Sequence, residues 1–151
     1  MRISSKADYA VRAALELAAA AGEPLNAETI SARQGIPQPF LKKILNELQR
    51  ANLVVSQRGR VGGHRLARSA DAITIADVLR AVEGPLANVR GQPPEATVYE
   101  GSAAKLQDVW IALRTNVREV LEQVTLADLV EERLPDPIAT LASRQDSWLT
   151  R

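Results

Sequence analysis

At 151 residues, 46% of them hydrophobic and 25% charged, the chain has the length and balance of one ordinary globular domain. It contains no cysteine, which excludes disulfides, thiolate metal sites and thiol redox switching, and its one histidine would leave a metal site to carboxylates. The net charge of +1 conceals an asymmetry, with 11 Lys and Arg against 5 Asp and Glu in residues 1–70 and 8 against 13 in residues 71–151, so a polyanionic partner is expected for the first half alone.

No run approaches the roughly 20 apolar residues that cross a bilayer. The Ala-rich opening is broken by Lys6, Asp8, Arg12 and Glu16 and lacks a signal-peptide layout. The expected location is therefore the cytoplasm, with no membrane partner. Ser4 or Ser5 can cap a first helix, Ser5 and Asp8 approximating a capping box. Ala7, Ala10, Val11, Ala14, Leu15 and Ala18 then recur at helical spacing until Gly22. Asn26 caps a short second helix that ends before Gly35. A third begins at Ile36-Pro37-Gln38-Pro39, with Phe40, Leu41, Ile44, Leu45 and Leu48 as its buried face, and Asn52 suits the left-handed turn that ends it.

From Leu53 the pattern becomes β-prone, breaks into the turn Arg58-Gly59-Arg60-Val61-Gly62-Gly63, and returns through His64 to Ala67, the signature of a hairpin. Thr74 with Asp77 forms a capping box for a fourth helix, apolar at Ile75, Val78, Leu79 and Val82 and closed by Gly84-Pro85. Residues 85–101 read as a long loop. Leu106, Trp110, Leu113, Val117, Val120 and Val124 follow at alternating spacings of 4 and 3, a heptad seam. Val109, Ile111 and Leu121 widen it beyond what one neighbouring helix covers. Thr125 caps a short last helix to about Arg133, and residues 135–151 are expected to be a weakly ordered tail, with Trp148 and Leu149 free to dock.

Helix, short helix, glycine turn, helix and hairpin is the order of a winged helix-turn-helix. The expected fold is mainly α with a small β-hairpin: a winged helix-turn-helix over 1–84, the loop 85–101, a long dimerisation helix with its closing helix over 102–134, and the tail. The outer face of the third helix fits a major groove about 12 Å wide. Gln38 could meet a base edge, Lys42 and Lys43 guanines or phosphates, and Pro39 or Phe40 a thymine methyl, with Asn46 on the same outer side. Arg58 and Arg60 at the wing turn suit a narrow minor groove, and glycine N–H groups at Gly62 and Gly63 suit phosphate oxygens. The turn is not a nucleotide phosphate loop, because neither Lys-Ser/Thr nor a helix follows it. No catalytic constellation accompanies His64, Glu131-Glu132 or Asp136, so no enzyme is expected. The competing reading is an adaptor that uses the same fold for protein contacts.

Several blocks resemble the BadM/Rrf2 family of winged helix-turn-helix regulators. These are Met1-Arg-Ile-Ser-Ser-Lys6 with Tyr9-Ala-Val11; Ile30-Ser-Ala-Arg-Gln-Gly-Ile36 with Phe40-Leu41-Lys-Lys-Ile44-Leu45; and Leu53-Val54 with Arg58-Gly59 and Gly62-Gly63. Ile75-Ala-Asp-Val78, Ala81-Val82-Glu83-Gly84 and the stretch Leu106 to Leu129 extend the likeness over about residues 1–131. The resemblance implies a homodimer in which the long helix crosses onto its partner through Leu106, Trp110, Leu113, Val117, Val120 and Val124, bound to a roughly palindromic operator in double-stranded DNA. It implies DNA contacts from Gln38, Pro39, Phe40, Lys42, Lys43, Ser56, Arg58 and the Gly62-Gly63 turn, and a phosphate contact from Lys6. Cluster-binding members carry three cysteines in the equivalent of loop 85–101. Here there are none, so no cysteine-held iron–sulfur cluster and no cofactor is expected, and Asp8, near the cluster in some members, reads as a helix cap. The input would instead come from a small-molecule or protein effector, with Tyr9, Arg12 and Trp110 as candidate lining of a pocket between the first and the crossing helix.

Overall fold

The computed structural model describes residues 2–149. Helix α1 (Ser5–Ala19) starts where the extended Ser4 accepts the Ala7 N–H at 3.0 Å. The cap thus falls on Ser4 rather than Ser5. Asp8 lies too far into the helix to complete a box and pairs with Arg12 at 3.1 Å. The buried face of α1 is Ala7, Ala10, Ala13, Ala14 and Leu17, small side chains that let α3 and α4 pack against it. The helix ends at Ala19, short of Gly22, whose φ of +93° completes the turn.

In α2 (Ala27–Gln34) the Asn26 side chain accepts the Thr29 N–H at 2.7 Å, and Gly35 at φ 63° closes the helix. The turn into α3 (Gln38–Arg50) is braced by the Ser31 hydroxyl, which donates to the Ile36 carbonyl at 2.6 Å. Leu41, Ile44, Leu45 and Leu48 are fully buried with Leu17, Ile30 and Ile36, each worth about 1.5–3 kcal/mol of transfer from water. Phe40, expected on this face, is 58% exposed. At about 100° per residue it stands roughly 90° from the centre of the buried arc. Asn52, at φ 56°, turns the chain out of α3 as expected.

Strands β1 (Val54–Gln57) and β2 (Gly63–Leu66) pair antiparallel, Val54 opposite Leu66 and Gln57 opposite Gly63. A bridge from Leu25 to His64 docks the hairpin on the helical body: the Leu25 N–H donates to His64 O at 2.9 Å and the His64 N–H to Leu25 O at 2.7 Å.

Helix α4 (Ile75–Glu83) begins with the capping box expected of Thr74 and Asp77, and α6 (Leu126–Val130) with the expected cap Thr125, to which Asp128 adds a second box. The two caps face each other across an antiparallel bridge, Ile75 N–H to Val124 O and Leu126 N–H to Ile73 O, both 2.9 Å. This corrects the place of Val124. It lies beyond α5 (Leu106–Gln123), and its side chain is 5% exposed within the chain's own core, so it is no longer available as a seam residue for a second copy. Arg80 of α4 pairs with Glu122 of α5, and Arg118 joins at 3.0 Å; the two guanidiniums hold the Glu122 carboxyl below its usual range.

The segment 136–143, without a helical pattern in sequence, is helix α7 (Asp136–Ser143), and its Ile138 packs on the core. A 3-10 turn follows, and the Trp148 indole N–H donates to Ala142 O at 2.6 Å.

Candidate nucleic-acid interface

Because the apolar residues of α3 occupy one arc, Pro39, Lys43, Asn46 and Arg50 fall within about 60° of one another on the opposite side, flanked by Lys42 and Phe40. Gln38 is exposed at the N-terminal end, the end that a recognition helix turns toward base edges. In the wing, β1 passes from buried Val54 through half-buried Val55 to exposed Ser56 and Gln57, and Arg58 and Arg60 are exposed in the turn beyond them. Arg65, on the outward side of β2, and Arg50 join this surface. Neither was singled out from the sequence for DNA contact, although the two-residue period of the hairpin already sets Arg65 opposite in phase to His64.

Lys42, Lys43, Arg50, Arg58, Arg60 and Arg65 have no ion-pair partner among the described residues. The one acid between residues 38 and 65 is Glu47, and it is taken by Lys6 at 2.8 Å. Lys6 also donates to the Val82 carbonyl at 2.5 Å. A phosphate could reach it only by displacing these partners.

The wing glycines have steric causes. A Cβ on Gly62 would stand 2.5 Å from the Gln57 carbonyl oxygen, and one on Gly63 2.6 Å from the Leu25 backbone. Next to them His64 is partly buried, with its Nδ1 unpartnered among the described residues. Burial holds its pKa below the ordinary 6.5, outweighing a backbone contact with Leu25 that acts the other way. The folded state therefore binds fewer protons than the unfolded one between the lowered pKa and about 6.5, and stability falls as pH drops through that window. Urea melts between about pH 8 and pH 5 will show this slope, and His64→Gln will flatten it.

Tyr9, Arg12 and Trp110 do not form one pocket. Arg12 stacks over Tyr9 with its guanidinium carbon 5.6 Å from the ring centroid and donates to the Gln34 side chain at 3.0 Å. Neither residue lines the two cavities beside α5, whereas Trp110 lines the smaller. Along α5, Leu106, Trp110, Val117 and Val120 are half-buried, and Leu113 is 41% and Val109 55% exposed.

The sequence profile of a family described as "Rrf2: Iron-dependent Transcriptional regulator" matches residues 3–132. A Mycobacterium tuberculosis protein that carries the provisional name of an HTH-type transcriptional regulator is 50% identical over 143 residues, 94% of this chain and 89% of its own. The HTH-type transcriptional regulator CymR of Bacillus subtilis is 35% identical over 130 residues, 85% of this chain and 89% of its own. The solved structure of CymR, described as the global cysteine regulator of B. subtilis, superposes with a TM-score of 0.74 at 32% identity, covering 89% of this chain and 99% of that one. T. potens IscR superposes with a TM-score of 0.71 at 28% identity, covering 100% and 93%.

The iron in the family's description does not fit the donors here. There is no cysteine, loop 85–101 offers only Glu95 and Glu100, and Glu95 is paired with Arg114. Among the described residues no three His, Cys, Asp or Glu side chains are grouped to share an ion. No helix among them is long and apolar enough to cross a membrane. With a helix-turn-helix, a docked wing and these relatives, the chain belongs to the Rrf2 family of winged helix-turn-helix, DNA-binding transcriptional regulators.

Proposed function

We propose that the protein is a homodimeric repressor that occupies a palindromic operator in cytoplasmic duplex DNA, works by binding rather than catalysis, and uses no iron–sulfur cluster. The observation that carries the reading is the set of six exposed, unpaired cations on α3 and the wing, in a half of the chain where acids are scarce. Phosphates are the counter-charges such a surface lacks, and Gln38, Pro39, Phe40 and Asn46 stand among the cations where base edges would lie. Residues 1–84 would read DNA, and α5 would join the two copies.

The dimer is supported by α5 itself. It is 18 residues long, carries the heptad stripe, and has no fully buried residue. A stripe of that width left half-exposed fits a second copy of the same helix.

Binding to genomic fragments recovered with the protein will weaken steeply with salt, because phosphate contacts release counterions. Lys42→Ala/Lys43→Ala will lower the slope of log K against log salt by about 2. Duplex binding that is absent even at low salt would overturn the proposal in favour of a protein-binding adaptor.

A further inference from the structure

We propose that the cavity between the 87–91 turn and α5 is a binding site for a small organic acid, a carboxylate on an apolar body, with Arg90 as the residue that holds the carboxylate. The backbone shows that an arginine is placed here against its preference. Val89 and Gln92 exchange hydrogen bonds of 2.8 and 3.0 Å across a two-residue turn, with Arg90 at φ 53° and Gly91 at φ 78°. Two successive positive φ values are the mark of a type I′ turn, whose first position asparagine or glycine fills at least cost. Ala87, two residues before Val89, is also left-handed, at φ 54°. Such a conformation persists only where the surroundings fix it.

The stretch that follows the turn is anchored on α5. The Gln107 side chain of α5 donates to the Thr97 carbonyl at 2.5 Å and the Glu95 carbonyl at 3.2 Å, and Arg114 pairs with Glu95. Thr97 itself is 3% exposed, its hydroxyl on Pro94 O at 2.6 Å. The segment expected to be a plain loop is therefore clamped on α5.

Between turn and helix lies a cavity of about 360 Å³ lined by Ala87, Asn88, Val89, Arg90, Trp110 and Leu113. Through Ala87 and Asn88 it adjoins a cavity of about 650 Å³ that runs toward Leu86, Val117 and Val120. Both volumes suit a small ligand. No acid lines the smaller cavity, and Arg90 has no carboxylate partner among the described residues; its guanidinium carbon lies 5.9 Å from the Tyr99 ring centroid. The Trp110 Nε1–H is buried without an acceptor among the described residues. The larger cavity includes Glu83, which would repel an anion. The charges thus orient a ligand, carboxylate on Arg90 and Asn88, apolar body along Val89, Leu113 and Val117. In a dimer joined along α5 the site would lie within the seam, because Trp110, Leu113 and Val117 belong to both; the second copy would wall its outer side, and occupancy can alter how the two readers are held.

The test needs no DNA, so its outcome is separable from that of the operator reading. In a Trp148→Phe background, Trp110 is the sole indole. Benzoate and hexanoate, titrated to millimolar concentration, are expected to change its fluorescence saturably. Benzamide and hexanamide should bind about tenfold or more weakly, and Arg90→Gln should remove the preference for the acids while leaving the unliganded melting midpoint in place. The proposal is overturned if neither acid gives a saturable change, if the amides or inorganic phosphate bind as well as the acids, or if Arg90→Gln binds like the parent.

Discussion

A protein carrying Leu113→Glu and Val117→Glu will sediment as a monomer and bind operator DNA roughly 10²–10⁴-fold more weakly than the parent, about 3–5 kcal/mol. Leu113 is 41% exposed and Val117 half-buried, and neither belongs to the core, so glutamate removes little from the folding of one copy. Two glutamates four apart on a helix cost only about 0.2–0.5 kcal/mol locally. Across a two-fold seam the same charges meet their own copies after losing water, which is far more costly. DNA feels the loss because the second half-site no longer binds as an intramolecular event. Circular dichroism should be unchanged, showing that the effect is assembly and not unfolding. If the double variant still sediments as a dimer, or if the parent is itself a monomer, the seam is not where α5 places it.

The parts of this fold that could be read in the sequence are those whose cause is local. Asn26, Thr74 and Thr125 cap because a short polar side chain reaches an N–H two or three residues on, and each cap falls where the residues put it. Ser4 and Ser5 offer the same chemistry one residue apart, and only the packing of Ala7 and Ala10 settles the helix phase. Phe40 has the right composition for the core and the wrong angle. Val124 continues the heptad count of α5, but the helix stops at Gln123 so that Val124 can bridge to Ile75, a contact 49 residues away in the chain that no period announces. The proposed binding surface was legible as residue types, since Lys42, Lys43, Arg58 and Arg60 are basic in a half of the chain with few acids. What could not be read was pairing. Lys6 has the same charge as Lys42, yet it is occupied by Glu47 and the Val82 carbonyl, which come to it only in three dimensions.

Gly63→Val will destabilise the protein by about 3 kcal/mol and abolish specific footprinting, a larger loss of DNA affinity than the about 1–3 kcal/mol expected for Arg58→Ala. The cause lies behind the wing. A Cβ on Gly63 would meet Leu25 C and O at 2.6 Å and Asn26 N at 3.0 Å, all backbone atoms that cannot rotate aside. To admit valine, β2 must move off Leu25, giving up the two hydrogen bonds between Leu25 and His64, each worth about 0.5–1.5 kcal/mol net. Asn26 would shift with it, and Asn26 caps α2. The hairpin then swings as a unit with Ser56, Arg58 and Arg60 on it, so all the wing contacts are lost together, whereas Arg58→Ala removes one. Urea unfolding and footprinting of the two variants side by side give the ranking. A Gly63→Val protein whose stability lies within about 0.5 kcal/mol of the parent, or which still protects the operator as Arg58→Ala does, would show that the wing is not held by its strand against Leu25.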